Sequence, residues 1–260
     1  MMHLDIIELQ SFYSTALGKL AASVITSALD PLWLSMPQER LVGIGYTLPY
    51  LDHFASQAER AFAFMPARQG ATGWPHGEAL STALVYDEEL PLPDSSVDRI
   101  LLVHTLEFSE SSAETLKEMW RVLSPNGQLI VVVPNRRGVW ARMEHTPFGS
   151  GRPFSRGQLL QAFREANFTP GKVVNALHVP PTRWRWLQQS SGLIETVGTR
   201  LWPLFGGVVI GEAHKRLYQG LPVLKRASRR VFVPVLTPQG TARQQPVKVK
   251  IHDHRERSGQ

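Results

Sequence analysis

The chain has 260 residues, of which 43% are hydrophobic and 19% charged, so it is long enough to bury a large core unaided. It has no cysteine, which excludes disulfide scaffolds, thiolate zinc sites, iron–sulfur clusters and cysteine nucleophiles and fits a cytoplasmic protein. The net charge of +6 is not spread evenly: nine of the 28 Lys/Arg and two of the 22 Asp/Glu lie in residues 221–260, so the first 220 residues are nearly neutral. The basicity is therefore a property of the tail. No apolar run approaches the roughly 18–20 residues that cross a bilayer. The first residues, Met-Met-His-Leu-Asp-Ile-Ile-Glu, make a poor signal peptide because they lack a basic start.

In chain order, residues 4–29 read as one amphipathic helix. Leu9, Phe12, Tyr13, Ala16, Leu17, Leu20, Val24 and Ile25 recur at three- and four-residue steps, and Pro31 closes the run. Short apolar segments then follow at 40–45 (RLVGIG), 60–65 (RAFAFM), 83–86, 99–103 (RILLV) and 128–133 (QLIVVV), each expected to be a strand. The last two are continuously apolar, as befits strands covered on both faces of a parallel sheet. Between them Ser111 and Glu114 have capping-box spacing. Leu116, Met119, Trp120 and Leu123 form a helical stripe, and Ser124-Pro125-Asn126-Gly127 supplies turn chemistry.

A further helix is expected over 155–167, with strands at 172–176 and 207–212 and helical pieces between them. Strands alternating with helices predict an α/β fold with a parallel sheet. The domain reading is a body over 1–222, comprising a helix at 4–29, a core at 38–176 and the rest of the sheet and helices at 177–222. Residues 223–260 are expected to be a disordered basic tail.

A strand running through Gly43 and Gly45 into a helix is where an open α/β sheet binds nucleotides, although Gly-x-Gly alone equally marks an empty tight turn. Two longer segments are more specific. The first is Asp87-Glu88-Glu89-Leu90-Pro91-Leu92-Pro93-Asp94, continuing through Ser95-Ser96-Val97-Asp98 to the strand that ends Val103-His104-Thr105-Leu106-Glu107. The second runs from Leu116 through Leu123-Ser124-Pro125-Asn126-Gly127 into Ile130-Val131-Val132-Val133-Pro134-Asn135.

Together they resemble the class I S-adenosylmethionine-dependent methyltransferases of the type 11 subgroup. The resemblance covers about 38–176, and more loosely 4–215. It implies a Rossmann-like, seven-stranded, mostly parallel sheet with an antiparallel last strand and helices on both faces. It further implies methyl transfer from S-adenosyl-L-methionine. Gly43, Gly45, Tyr46, Thr47, Met65, Asp87, Glu88 and His104 are then the expected cofactor-binding residues. Gly45 is expected to lie beside the cofactor's amino acid moiety, such that Gly45→Val abolishes binding while the fold survives.

The chain departs from the family pattern at this loop. Gly43 stands where an acid is usual, Thr47 and Pro49 where glycines are usual, and Met65-Pro66 where a carboxylate usually holds the ribose. A carboxylate restored at Met65 would test whether the site is still built for the cofactor. The departures keep a second reading open, a non-catalytic methyltransferase-like protein that binds a partner or ligand.

His104 is the weak candidate for a catalytic base, or else a hydrogen-bonded pocket histidine. Glu107 reads as a local structural group. Asn135, Arg136 and Arg137, with Arg152 and Arg156, form either an anion-binding loop or a solvated one. Trp140, Phe148 and Phe154 form either a lid or core. The Trp/Arg-rich stretch 183–205 suits a docked amphipathic helix, a membrane surface or nucleic-acid bases. The expected partner is a small-molecule acceptor, with RNA or an acidic surface open to the tail. No metal site is expected from the histidine spacing.

Overall fold

The computed structural model describes residues 4–33, 38–75, 80–181 and 206–217. The tail at 223–260 and the Trp/Arg-rich stretch beyond 182 lie outside the described residues. Seven strands form one sheet: β1 (Arg40–Gly45), β2 (Arg60–Pro66), β3 (Thr82–Val85), β4 (Val97–Val103), β5 (Leu123–Pro134), β6 (Thr169–Ala176) and β7 (Val208–His214). Their order is β3-β2-β1-β4-β5-β7-β6. All neighbours pair in parallel except at β7, which runs antiparallel to both β5 and β6. This is the Rossmann-like sheet expected from the sequence.

Alternation along the strands feeds two layers. Leu41, Met65, Leu101, Val103, Ile130 and Val132 enter one core, whereas Val42, Ile44, Phe64, Ile100, Leu102 and Val131 enter the other. Both faces are covered, which is why these strands read as continuous apolar runs. Helix α4 (Ser112–Val122) and helix α5 (Arg156–Glu165) cover the second face. Ser111 caps α4 by accepting from Glu114 N–H at 3.3 Å. The Glu114 carboxylate bonds Lys117 at 2.8 Å. Ser155 and Gln158 complete a reciprocal capping box on α5. Among the described residues no helix is long and apolar enough to cross a membrane.

The first face is covered by α1 (Ile6–Ser14), α2 (Ala16–Leu29) and α3 (Leu48–Phe54). Here the single helix expected over 4–29 is corrected to two. Thr15 is extended, at φ −70° and ψ 160°, and its side chain accepts from Gly18 N–H to cap α2. Gly18 is required at the corner, because a Cβ there would lie 2.1 Å from the Phe12 carbonyl oxygen. The break turns α1 away from the axis of α2 and gives it its own inward residues, Ile6, Leu9 and Tyr13.

Candidate active site

The chain runs β1–β2–β3 to one side and then returns to β4 on the other, so β1 and β4 flank the topological switch point, where such sheets bind ligands. Register makes the edge explicit. Gly45 pairs with Val103 and Pro66 with Val85. Tyr46, Ala67, Tyr86 and His104 therefore leave the carboxyl ends of four adjacent strands.

At the centre is His104, 1% exposed, at φ 55°. A left-handed non-glycine residue at a strand end stores strain, and such residues cluster at functional sites. Its Nδ1 lies 3.2 Å from Glu107 Oε1, and its Nε2 lies 2.9 Å from the Tyr13 hydroxyl. With Glu107 ionised, Nδ1–H donates to the carboxylate, Nε2 accepts from Tyr13, and the Tyr50 hydroxyl, 3.0 Å away, can donate to Tyr13. The Gln69 side-chain amide donates to the His104 carbonyl. Burial raises the pKa of Tyr13, and likewise that of Tyr50, so both phenols stay protonated and able to donate.

Aromatic rings close around this chain of bonds. Tyr13 stacks on Tyr46 at 5.1 Å between centroids, and Phe148 lies 4.9 Å from the His104 ring. Trp140 packs edge-on against Phe148 and donates to the Val179 carbonyl at 2.7 Å. Trp140 and Phe148 are thus core residues; Phe154 packs against the other layer.

The expected site residues fall into three groups. His104, Tyr46 and Thr47 sit together at the switch point and are buried. Gly43 and Gly45 are closely packed against their neighbours. A Cβ on Gly43 would come within 2.2 Å of Thr47 Oγ1 and 2.7 Å of Leu51, so α3 occupies the place of the usual acid. A Cβ on Gly45, which is at φ 88°, would lie 2.1 Å from both Thr105 Oγ1 and the Val103 carbonyl oxygen. The expectation that Gly45→Val spares the fold is therefore corrected, because the close approach is to β4 itself.

The third group lies toward β2 and β3. Met65 is fully buried in the core, its sulfur accepting from Thr72 N–H at 3.3 Å. A carboxylate there would be buried with only the Thr72 N–H at hand to answer its charge. Asp87 is buried, but Arg68 holds both its oxygens at 2.7 Å and Thr115 donates to it at 3.1 Å. Glu88 is exposed and accepts from Ser111 N–H at 3.3 Å, away from His104. Arg136, Arg137, Arg152 and Arg156 are exposed, and Asn135 is tied to the Gly206 carbonyl at 2.8 Å.

Three buried polar atoms in this region have no hydrogen-bond partner: Thr47 Oγ1, Glu107 Oε2 and Arg68 Nε. Orphaned polar atoms at a switch point are what a polar ligand would satisfy. The donor and acceptor set fits S-adenosylmethionine: Thr47 Oγ1 and Glu107 Oε2 are free polar atoms near the switch point, whereas Asp87 would have to share its carboxylate with Arg68. At the switch point the Tyr13 phenol packs against Tyr46, Tyr50 and His104. Sequence reasoning placed Tyr13 only in a helical stripe and missed it here, because no local pattern joins it to His104.

Residues 42–131 match the family model described as a methyltransferase domain. A probable S-adenosylmethionine-dependent methyltransferase of Mycolicibacterium smegmatis is 44% identical over 92 residues, which are 35% of this chain and 35% of that protein. The match therefore spans about a third of the curated relative's length. Among solved structures, a possible histamine N-methyltransferase of Thermotoga maritima superposes with a TM-score of 0.58 at 21% identity, covering 81% of this chain and 96% of that one. A methyltransferase of Archaeoglobus fulgidus gives 0.53 at 13% identity, covering 79% and 97%. A Haloferax volcanii methyltransferase complex with the activator Trm112 gives 0.51 at 17%, covering 77% and 97%. These likenesses are of fold.

Proposed function

We propose that this chain, which belongs to the class I S-adenosylmethionine-dependent methyltransferases, catalyses methyl transfer to a small or medium-sized acceptor at the β1/β4 switch point. The carrying observation is the buried Tyr13–His104–Glu107 chain at the end of β4. The cofactor would supply an electrophilic methyl group. Thr47 and Glu107 would hold its polar groups near the switch point, and Asp87, shared with Arg68, its adenine edge.

The chain's own residues do the rest. Glu107 fixes the His104 tautomer so that Nε2 carries the lone pair. His104 Nε2 then takes the proton that the acceptor loses, as a general base. Tyr46, Tyr50 and Phe148 exclude water and align the reactants. The phenol of Tyr13 must leave for this to happen, and its helix is jointed at Thr15.

The enzyme is proposed to work in the cytoplasm, consistent with a chain free of cysteine. The basic segment 223–260 is proposed to offer its positive charge to RNA or another acidic surface. A second reading, non-catalytic ligand or partner binding, is favoured by the Arg68–Asp87 pair and by the Tyr13 phenol that occupies His104 Nε2. Formation of S-adenosylhomocysteine from S-adenosylmethionine during a metabolite screen tests catalysis. Release that requires a metabolite and disappears in His104→Gln supports it; ligand binding without any release supports the second reading.

A further inference from the structure

A cleft of about 510 Å³ lies between the outer side of α1 and the segment 144–150. Its volume is that of a small-molecule site. Leu4, Ile7, Phe12 and Pro147 give it apolar walls, and Glu8 and Glu144 are its carboxylates. Both carboxylates are exposed, and neither is ion-paired among the described residues. No Lys or Arg lines it; the remaining titratable neighbour is His145. The cleft therefore selects positive charge together with an apolar body.

It also leads to the switch point. The Phe12 ring meets Phe148 edge-on at 6.2 Å, and Phe148 lies against His104. Two rings in series, Phe12 and Phe148, link the cleft to the histidine. Behind it, the Tyr13 phenol is bounded by Tyr46 at 5.1 Å, Tyr50 at 6.4 Å and His104 at 5.9 Å. Aromatic walls attract cations, and a buried carboxylate strengthens the preference. Glu107 provides it: Oε2 is buried and unpartnered, and its charge reaches the Tyr13 hydroxyl.

The part that must move carries Phe12 and Tyr13 together. Helix α1 joins α2 only through the extended residue Thr15. Its polar ties to the body include Ile6 N–H to the Gln69 carbonyl at 2.8 Å and the Gln10 amide to Thr72 at 2.8 Å. A pivot at Thr15 would open the cleft inward to the space of the phenol.

We infer that the cleft between α1 and residues 144–150 binds an amine with a compact apolar body, and that this amine is the acceptor class of the site. The inference rests on the proposed methyl transfer. The acceptor is gathered as an ammonium ion by Glu8 and Glu144; once the pivot at Thr15 opens the cleft inward, it leaves them and gives a proton to His104 Nε2. The neutral nitrogen then bonds to the methyl carbon, the electron pair of the broken carbon–sulfur bond stays on sulfur, and His104 returns its proton to solvent.

Calorimetry on the full chain tests it with 2-phenylethylamine, hexylamine and tryptamine, each against a carboxylate of similar shape such as 3-phenylpropanoate. At least one amine should bind saturably, the carboxylates should not, and Glu8→Gln with Glu144→Gln should weaken the amine about fivefold or more. Both substitutions are at exposed positions, and unchanged melting would show an intact fold. No amine binding at millimolar concentration, equal carboxylate binding, or an unaffected double variant overturns the inference. Titration of S-adenosylmethionine alone is the separate arm. Its failure with amine binding intact would overturn methyl transfer but leave the amine cleft standing.

Discussion

The Tyr13 hydroxyl lies 2.9 Å from His104 Nε2, across 91 residues of sequence. This bond pins the first helix to the end of β4 and makes the N-terminal segment part of the site. Removing the hydroxyl leaves His104 Nε2 and the Tyr50 hydroxyl short of a partner in a buried place. Tyr13→Phe should cost about 1–3 kcal/mol. It should lower the melting temperature and speed amide hydrogen exchange over residues 6–14. Unchanged exchange there would show that α1 is held by its other contacts alone.

His104 and Glu107 should separate by kinetics. His104→Gln should reduce turnover about 10²–10⁴-fold, the usual contribution of a general base. Glu107→Gln should lower kcat through the histidine and also raise the KM for S-adenosylmethionine, because the same carboxylate is proposed to hold the cofactor. Equal losses of kcat in both variants with KM unchanged would indicate a purely structural pair.

Gly45→Ala should destabilise the protein whether or not a ligand is present. The residue is at φ 88°, and the new Cβ would press on the Val103 carbonyl oxygen and on Thr105. Backbone strain of this kind costs about 1–3 kcal/mol before the clash is counted. Chemical denaturation measures it, and a stability equal to the parent would mean that β1 and β4 can part at no cost.

Acid should loosen the sheet at its other end. Burial works to raise the Asp98 carboxyl, but Arg40, through side chain and backbone N–H, and Ser124 prevail and hold it below its ordinary value. A lowered folded pKa stabilises fully above the unfolded value of about 4 and is lost as pH falls through the folded value. Asp98→Asn should therefore reduce stability at neutral pH and flatten its decline below about pH 4. The pair is part-exposed, so solvent screening keeps the loss to about 1 kcal/mol or less.

Much of the sheet was legible because its strands are covered on both faces. β4 and β5 could be read from Arg99–Val103 and Gln128–Val133, and β1 was placed at 40–45 from its apolar run and glycines. The break at Thr15 was not legible, since the apolar stripe continues through it at helical spacing. In the candidate site, His104 and Asp87 were singled out by motif. Their partners, Tyr13, Gln69, Arg68 and Thr115, were not, because those contacts join segments 19–91 residues apart. At Gly43 and Gly45 the sequence does not separate two roles, because close approach to a ligand and close approach to β4 or α3 demand the same residue.

The proposed cofactor site lies at the β1/β4 switch point beneath Tyr13. Titration of S-adenosylmethionine into the full chain and into Tyr13→Ala tests it most directly. Saturable binding to both is expected, tighter in Tyr13→Ala, where no phenol has to be displaced, with a larger ligand-induced rise in melting temperature. No heat and no thermal shift in either protein at millimolar ligand would contradict it.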